Sequence, residues 1–145
     1  MKYLNEMKLQ FPSRSANEAF ARMAISAFLA QMDPTVEELS DIRTAVSEAV
    51  TNCIVHGYPN SVGIVTLEAG IRADNRIVIR IKDKGRGIED IPQAMEPMFT
   101  TCQTGERAGL GFAVMESFTD KMKVRSTPGK GTTVTLEKQI KVREK

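Results

Sequence analysis

The sequence predicts an α/β sandwich: one mixed, largely antiparallel sheet with helices packed on one face. Strand-like runs come in adjacent pairs instead of alternating strictly with helices, which disfavours a doubly wound parallel sheet. Two helix-opening signals precede the first of those pairs. The resulting order is β-α-α-β-β-α-β-β. With 145 residues and no linker, repeat or low-complexity tract, residues 1–145 form a single domain with one core.

Residues Lys8 to Phe11 alternate apolar and polar side chains and read as a strand that starts as early as Tyr3. Ser15 to Glu18 has the spacing of a capping box and opens the first helix. Ala16, Phe20, Met23, Ala24, Ala27 and Phe28 follow helical spacing and are its expected apolar stripe. Asp33-Pro34 breaks it. Thr35 to Glu38 is a second capping box, and its helix runs to about His56 before a C-terminal glycine, Gly57. Leu39, Ile42, Val46, Ala49, Val50 and Cys53 make the buried stripe.

Val62 to Ile71 and Arg76 to Asp83 are strands joined through Ala73-Asp74-Asn75. Lys84 to about Ala108 is irregular, with a short helix near Pro92 to Met95 at most, and a loop this long in a compact domain usually has a function. A third helix spans roughly Gly109 to Thr119. Lys121 to Ser126 and Thr132 to Ile140 are strands joined at Pro128 to Gly131.

The net charge of +2, from 20 basic and 18 acidic residues, does not suggest direct DNA binding, which calls for a clustered basic face. Lys138 to Lys145 reads as a solvated basic tail. No apolar run approaches the roughly 20 residues that span a bilayer, and the start of the chain has no signal-peptide pattern. Cys53 and Cys102 lack metal-ligand spacing. These features suggest a cytoplasmic protein with free thiols, Cys53 in the core and Cys102 in a loop.

The chemistry gathers in four short segments. Glu48 and Asn52, at i and i+4, share a helix face beside the buried stripe. The amide oxygen of Asn52 is a hard ligand that suits Mg²⁺, and Glu48 is able to take a proton from a hydroxyl or a water. Alone, such a pair is more simply read as a hydrogen-bonded couple on an exposed face. His56, further along, reads as a helix-end histidine without a catalytic role.

Asp83 has the parity of Ile77, Ile79 and Ile81, so the strand aims a carboxylate inward at its end. The exocyclic amine of adenine is a fitting donor for it, and guanine, with a carbonyl there, is disfavoured. Capping the turn before Gly85 is the plainer alternative. Gly85 and Gly87 permit close approach to a flat ring or positive φ. Gly109, Leu110 and Gly111 open the third helix, where N–H groups and the helix dipole attract phosphate, with Arg107 adding charge upstream. Thr132 shares parity with Val134 and Leu136, so its hydroxyl points inward near Asp83. The phosphate loop G-x-x-x-x-G-K-[ST] and the protein-kinase motifs are absent from the sequence, so a nucleotide here requires a different fold.

Taken in order, Glu48 to Asn52, Asp83 to Gly87, Gly105 to Gly111 and Gly131-Thr132 resemble the ATP-binding boxes shared by gyrase, Hsp90, histidine kinases and MutL, the Bergerat fold. The likeness covers nearly the whole chain. It implies ATP or ADP with Mg²⁺ on Asn52, adenine on Asp83, and a lid over the phosphates at about 89–108.

Within that family the chain is most similar to the small anti-sigma factor serine kinases of sporulating bacteria. Glu48 to Tyr58, Pro97 to Thr101 and Arg107 to Phe112 carry this likeness. It implies a homodimer that sequesters a sporulation sigma factor and phosphorylates a serine of an anti-anti-sigma antagonist, with Glu48 as the catalytic base. It also places Thr100 and Thr101 at the nucleotide. One departure is Cys102-Gln103 where a Lys is expected, which leaves Arg107 as the candidate cation for the γ-phosphate. Arg14, Glu18 and Arg22, at i, i+4 and i+8, are candidates for the partner surface, and a solvated Glu18–Arg22 pair is the plainer reading. A histidine-kinase catalytic domain, a gyrase- or Hsp90-type ATPase domain and a nucleotide-gated binding module without transferase activity are the alternatives.

Overall fold

The computed structural model describes residues 2–88, 91 and 111–142. Strand β1 (Asn5–Pro12) leads into helix α1 (Ala16–Leu29) and then helix α2 (Val36–Asn52). Strands β2 (Ile64–Ile71) and β3 (Arg76–Asp83) follow. Helix α3 (Gly111–Phe118) precedes strands β4 (Lys121–Thr127) and β5 (Gly131–Gln139).

The strand order is β1-β2-β3-β5-β4. Among the described residues all four pairings are antiparallel, so the described sheet is antiparallel rather than mixed. Its register stacks the inward side chains in rows. Leu9, Leu67, Ile81, Val134 and Val124 form one row across all five strands, and Met7, Ala69, Ile79, Leu136 and Met122 form the next. These apolar rows meet Ile25, Leu29, Ile42, Val46, Val50 and Met115 of the helices in one core. A further row ends the apolar zone: Phe11, Val65, Asp83, Thr132 and Ser126. The sheet therefore changes from hydrocarbon to hydrogen-bonding groups at one edge of its inner face.

Helix α2 starts as expected. Thr35 Oγ1 accepts from the Glu38 N–H at 3.0 Å, and Glu38 Oε1 accepts from the Thr35 N–H at 2.8 Å, a complete capping box. Ile42, Val46, Ala49, Val50 and Cys53 are buried, with Leu39 partly so.

Several expectations are corrected. Ser15 is itself in the helical region and makes no side-chain cap, so the first capping box does not form. The turn into α1 is held instead by Asn17, whose Nδ2 donates to the Pro12 carbonyl at 2.9 Å. The buried face of α1 is Ala21, Ile25 and Leu29. Phe20 and Met23 are 49% and 63% exposed. Helix α1 carries apolar residues on two faces, and packing against α2 and the sheet selects one. Phe20 still meets Phe11 edge-on at 6.3 Å.

The C-terminal end also differs from a solvated tail. Lys138 pairs with Asp41 at 3.4 Å, Ile140 is fully buried, and the Lys141 N–H donates to Glu38 Oε2 at 3.0 Å. The short helix expected near Pro92 to Met95, the lid at 89–108, and Cys102 lie outside the described residues.

Candidate nucleotide site

The end of α2 unwinds into a π turn, Cys53–Gly57, closed by the Tyr58 N–H donating to the Cys53 carbonyl at 3.0 Å. Gly57 is not in the left-handed conformation expected of a helix-ending glycine. Its lack of a side chain has a steric cause. A Cβ there would stand 3.0 Å from Asp83 Oδ2, and a Cβ on Gly85 would stand 2.0 Å from the Gly57 carbonyl oxygen. Two glycines thus let the helix end, the carboxyl of Asp83 and the following loop close on one another.

Asp83 is 8% exposed. Its Oδ1 accepts from the Gly85 N–H at 2.9 Å. Among the described residues, no Lys or Arg forms an ion pair with it. Burial pushes its carboxyl above the ordinary aspartate range, and hydrogen bonding from Gly85, Cys53 and Thr132 only partly opposes this. Burial and the Asp83 charge together push the Cys53 thiol well up, so it stays a neutral thiol. Cys53 is core, as expected, and it also borders the carboxylate. Tyr58 braces the same loop. Its hydroxyl accepts from the Lys84 N–H at 2.6 Å and donates to the Ile64 carbonyl at 2.8 Å.

Opposite Asp83 in the ladder stands Thr132, and next in the row is Ser126. Ser126 was not a sequence candidate, because a strand serine between exposed neighbours belongs to no motif and only the register brings it to Thr132. Its Oγ lies 2.8 Å from Thr132 Oγ1, 3.0 Å from the Gly131 carbonyl oxygen and 2.7 Å from the Ile88 nitrogen. Gly87 has φ 75°, and a Cβ there would meet the Thr127 carbonyl oxygen at 2.3 Å. Gly85 and Gly87 therefore have protein backbone against them, at the helix end and at the β4–β5 hairpin.

At the other end of the site, Glu48 and Asn52 occupy one face of α2, both half-buried. Asn52 lies against Gly111, the first residue of α3, where a Cβ would be 3.0 Å from its Oδ1. The amide and the helix N-terminus are thus side by side. Thr100, Thr101, Arg107, Gly109 and Leu110 lie outside the described residues. His56 sits half-buried in the π turn, where burial and then the Arg86 charge lower its pKa.

Arg14 precedes α1 and lies in the turn after β1, so it is not a helix residue. Glu18 pairs with Arg22 at 3.6 Å and accepts from Ser47 Oγ at 2.6 Å, which ties α1 to α2.

The histidine kinase-like ATPase domain model matches residues 11–138. The anti-sigma F factor of Thermoanaerobacter sp. (strain X514) is 58% identical over 140 residues, 97% of each chain. The chain belongs to the anti-sigma F factor family of histidine kinase-like ATPase domains. The anti-sigma F factor of Clostridium botulinum (strain Alaska E43 / Type E3) is 52% identical over 141 residues, 97% of this family member and 98% of that one.

Among solved structures, the RsbU and RsbW domains of a Mycobacterium tuberculosis protein superpose with a TM-score of 0.69 at 20% identity. The match covers 94% of this chain and 32% of that one, about a third of its length. The histidine kinase domain of the Erythrobacter litoralis EL346 blue-light activated histidine kinase gives 0.59 at 20% identity, covering 85% and 64%. These two likenesses establish the fold, an open antiparallel sheet with its helices on one face.

Proposed function

We propose that this chain is an anti-sigma factor that sequesters a sporulation sigma factor and is also a serine protein kinase, transferring phosphate from ATP to a serine of its anti-anti-sigma antagonist. The observation that carries the nucleotide part is a pair of polar arrangements at and just beyond the C-terminal end of α2. In one a buried carboxylate, Asp83, faces Thr132, and in the other Asn52 adjoins the start of α3. The names of the relatives support the sigma-factor part.

In this reading Asp83 accepts a hydrogen bond from the 6-amino group of adenine, with Thr132 beside it. Gly85 and Gly87 shape the loop that borders the base. Backbone N–H groups at Gly109, Leu110 and Gly111, with Thr100, Thr101 and Arg107, hold the phosphates of ATP or ADP. No cluster of three or more His, Cys, Asp or Glu side chains forms among the described residues. The residue that would hold Mg²⁺ is Asn52, through its amide oxygen, a hard ligand. When bound there, Mg²⁺ would supply charge neutralisation for the phosphates. Glu48, one turn before Asn52, orients the incoming serine hydroxyl and takes its proton.

The remaining parts of the proposal are a homodimer, a cytoplasmic location, no direct DNA contact and no membrane. Among the described residues no helix is long and apolar enough to cross a bilayer. Arg14, in the turn before α1, and the Glu18–Arg22 pair on α1 are the proposed partner surface.

Transfer of labelled γ-phosphate from ATP to a co-purified partner tests the enzyme. Glu48→Gln keeps ATP affinity and lowers transfer by about 10²- to 10⁴-fold. Undiminished transfer by that variant refutes the base. ATP-dependent partner capture without any transfer by the unaltered protein replaces the kinase with a nucleotide-gated binding module.

A further inference from the structure

Ser126 Oγ has three polar neighbours: the Ile88 N–H at 2.7 Å, the Gly131 carbonyl at 3.0 Å and Thr132 Oγ1 at 2.8 Å. A serine hydroxyl has one proton to donate and two lone pairs to accept with. The Ile88 N–H can only donate, and the Gly131 carbonyl can only accept. The Ser126 proton therefore goes to Gly131, and the contact with Thr132 is made only if Thr132 donates. That arrangement fills the bonding capacity of Ser126 and uses the only proton on Thr132 Oγ1. Thr132 is then left with lone pairs alone for anything bound beside it. Its cross-strand partner on the same face is Asp83, also an acceptor.

We propose that Ser126 is a specificity-positioning residue of the nucleotide site: it turns the Thr132 proton away from the ligand, so that the site presents two acceptors to a 6-amino purine. This rests on the reading of Asp83 as the purine-binding carboxylate. A 6-oxo purine meets two lone-pair donors with its own carbonyl oxygen and is rejected, whereas a 6-amino group satisfies both. Without the Ser126 acceptor, the Thr132 hydroxyl is free to rotate its proton toward a 6-oxo group.

Calorimetric titration with MgATP and MgITP, which differ at position 6 and in the N1 proton, tests this. The unaltered protein prefers ATP. Ser126→Ala narrows the ATP-to-ITP ratio by about tenfold, the scale of one hydrogen bond. Ser126→Thr, which keeps the hydroxyl, restores it. Ser126→Cys, a poor acceptor of near-equal size, narrows the ratio as Ala does and serves if the Ala variant fails to fold. An unchanged ratio in folded Ser126→Ala or Ser126→Cys overturns the inference. Asp83→Asn separates the two failures. If it weakens ATP while the Ser126 variants leave the ratio intact, only the Ser126 role is lost. If it too leaves ATP binding unchanged, the purine site itself is misplaced.

Discussion

Asn52 lies against Gly111: a Cβ on that glycine would stand 3.0 Å from the Asn52 Oδ1 and 3.1 Å from its Nδ2. The last residue of α2 and the first of α3 thus share one contact. Gly111→Ala forces the amide aside without touching Asp83. Its expected effect is a loss of about tenfold or more in MgATP affinity, the scale seen when support for a metal ligand is disturbed. Affinity for metal-free adenosine stays unchanged. Parallel calorimetric titrations check this, and an equal loss for both ligands contradicts it.

Asp83→Asn weakens ATP by about 1.5–3 kcal/mol, the value of a hydrogen bond to a charged acceptor. The pH dependence has a definite sign. Burial raises the Asp83 pKa in the free protein, so the carboxylate takes up a proton at a pH above the ordinary aspartate range. An amine donor favours the ionised form. ATP affinity therefore falls as pH drops through that raised pKa and levels off above it, with a proton released on binding in the acid range. In Asp83→Asn this dependence disappears. Titrations at a series of pH values in two buffers of different ionisation enthalpy measure both effects.

Glu38 joins two distant parts of the chain, capping α2 through Thr35 and accepting from the Lys141 N–H. Burial works to raise its pKa, but the Thr35 and Lys141 hydrogen bonds and the Lys138 charge outweigh it, and the carboxyl titrates below the usual glutamate value. A lowered folded-state pKa contributes stability above the unfolded-state pKa and loses it as pH falls through the folded value. Glu38→Gln is expected to cost about 1–2 kcal/mol at neutral pH. Its deficit shrinks below about pH 4. Urea unfolding at both pH values is the measurement.

Gly57→Ala places a methyl 3.0–3.1 Å from three atoms of the Asp83 carboxyl group. Its backbone is not left-handed, so alanine brings no φ strain there. The expected outcome is a modest fall in melting temperature with a larger fall in ATP affinity. Thermal denaturation alongside ATP titration separates the two.

Much of the fold was legible because the local signals were unambiguous. Strand β3 begins and ends where alternation and the flanking turn place it, at Arg76 and Asp83. The Thr35–Glu38 capping box marks the start of α2. The face of α1 was not legible, since Phe20 and Met23 keep helical spacing as well as Ile25 and Leu29 do, and only tertiary packing decides between them. The reason for Gly57 was also hidden, because the carboxyl it accommodates lies 26 positions away in the sequence.

The site follows the same division. Strand parity places the Asp83 side chain inward, where it is buried, and i+4 spacing places Asn52 on one helix face with Glu48. The position of Ser126 beside Thr132 is not legible, because it arises from the β4–β5 register and from a contact with Ile88, 38 residues away.

A crystal of the protein grown or soaked with MgATP tests the central claim most directly. The account predicts the base beside Asp83 and Thr132, with its 6-amino group hydrogen-bonded to the Asp83 carboxylate and the metal on Asn52. A base seated anywhere else, or no nucleotide beside Asp83 and Asn52 at saturating ATP, contradicts it.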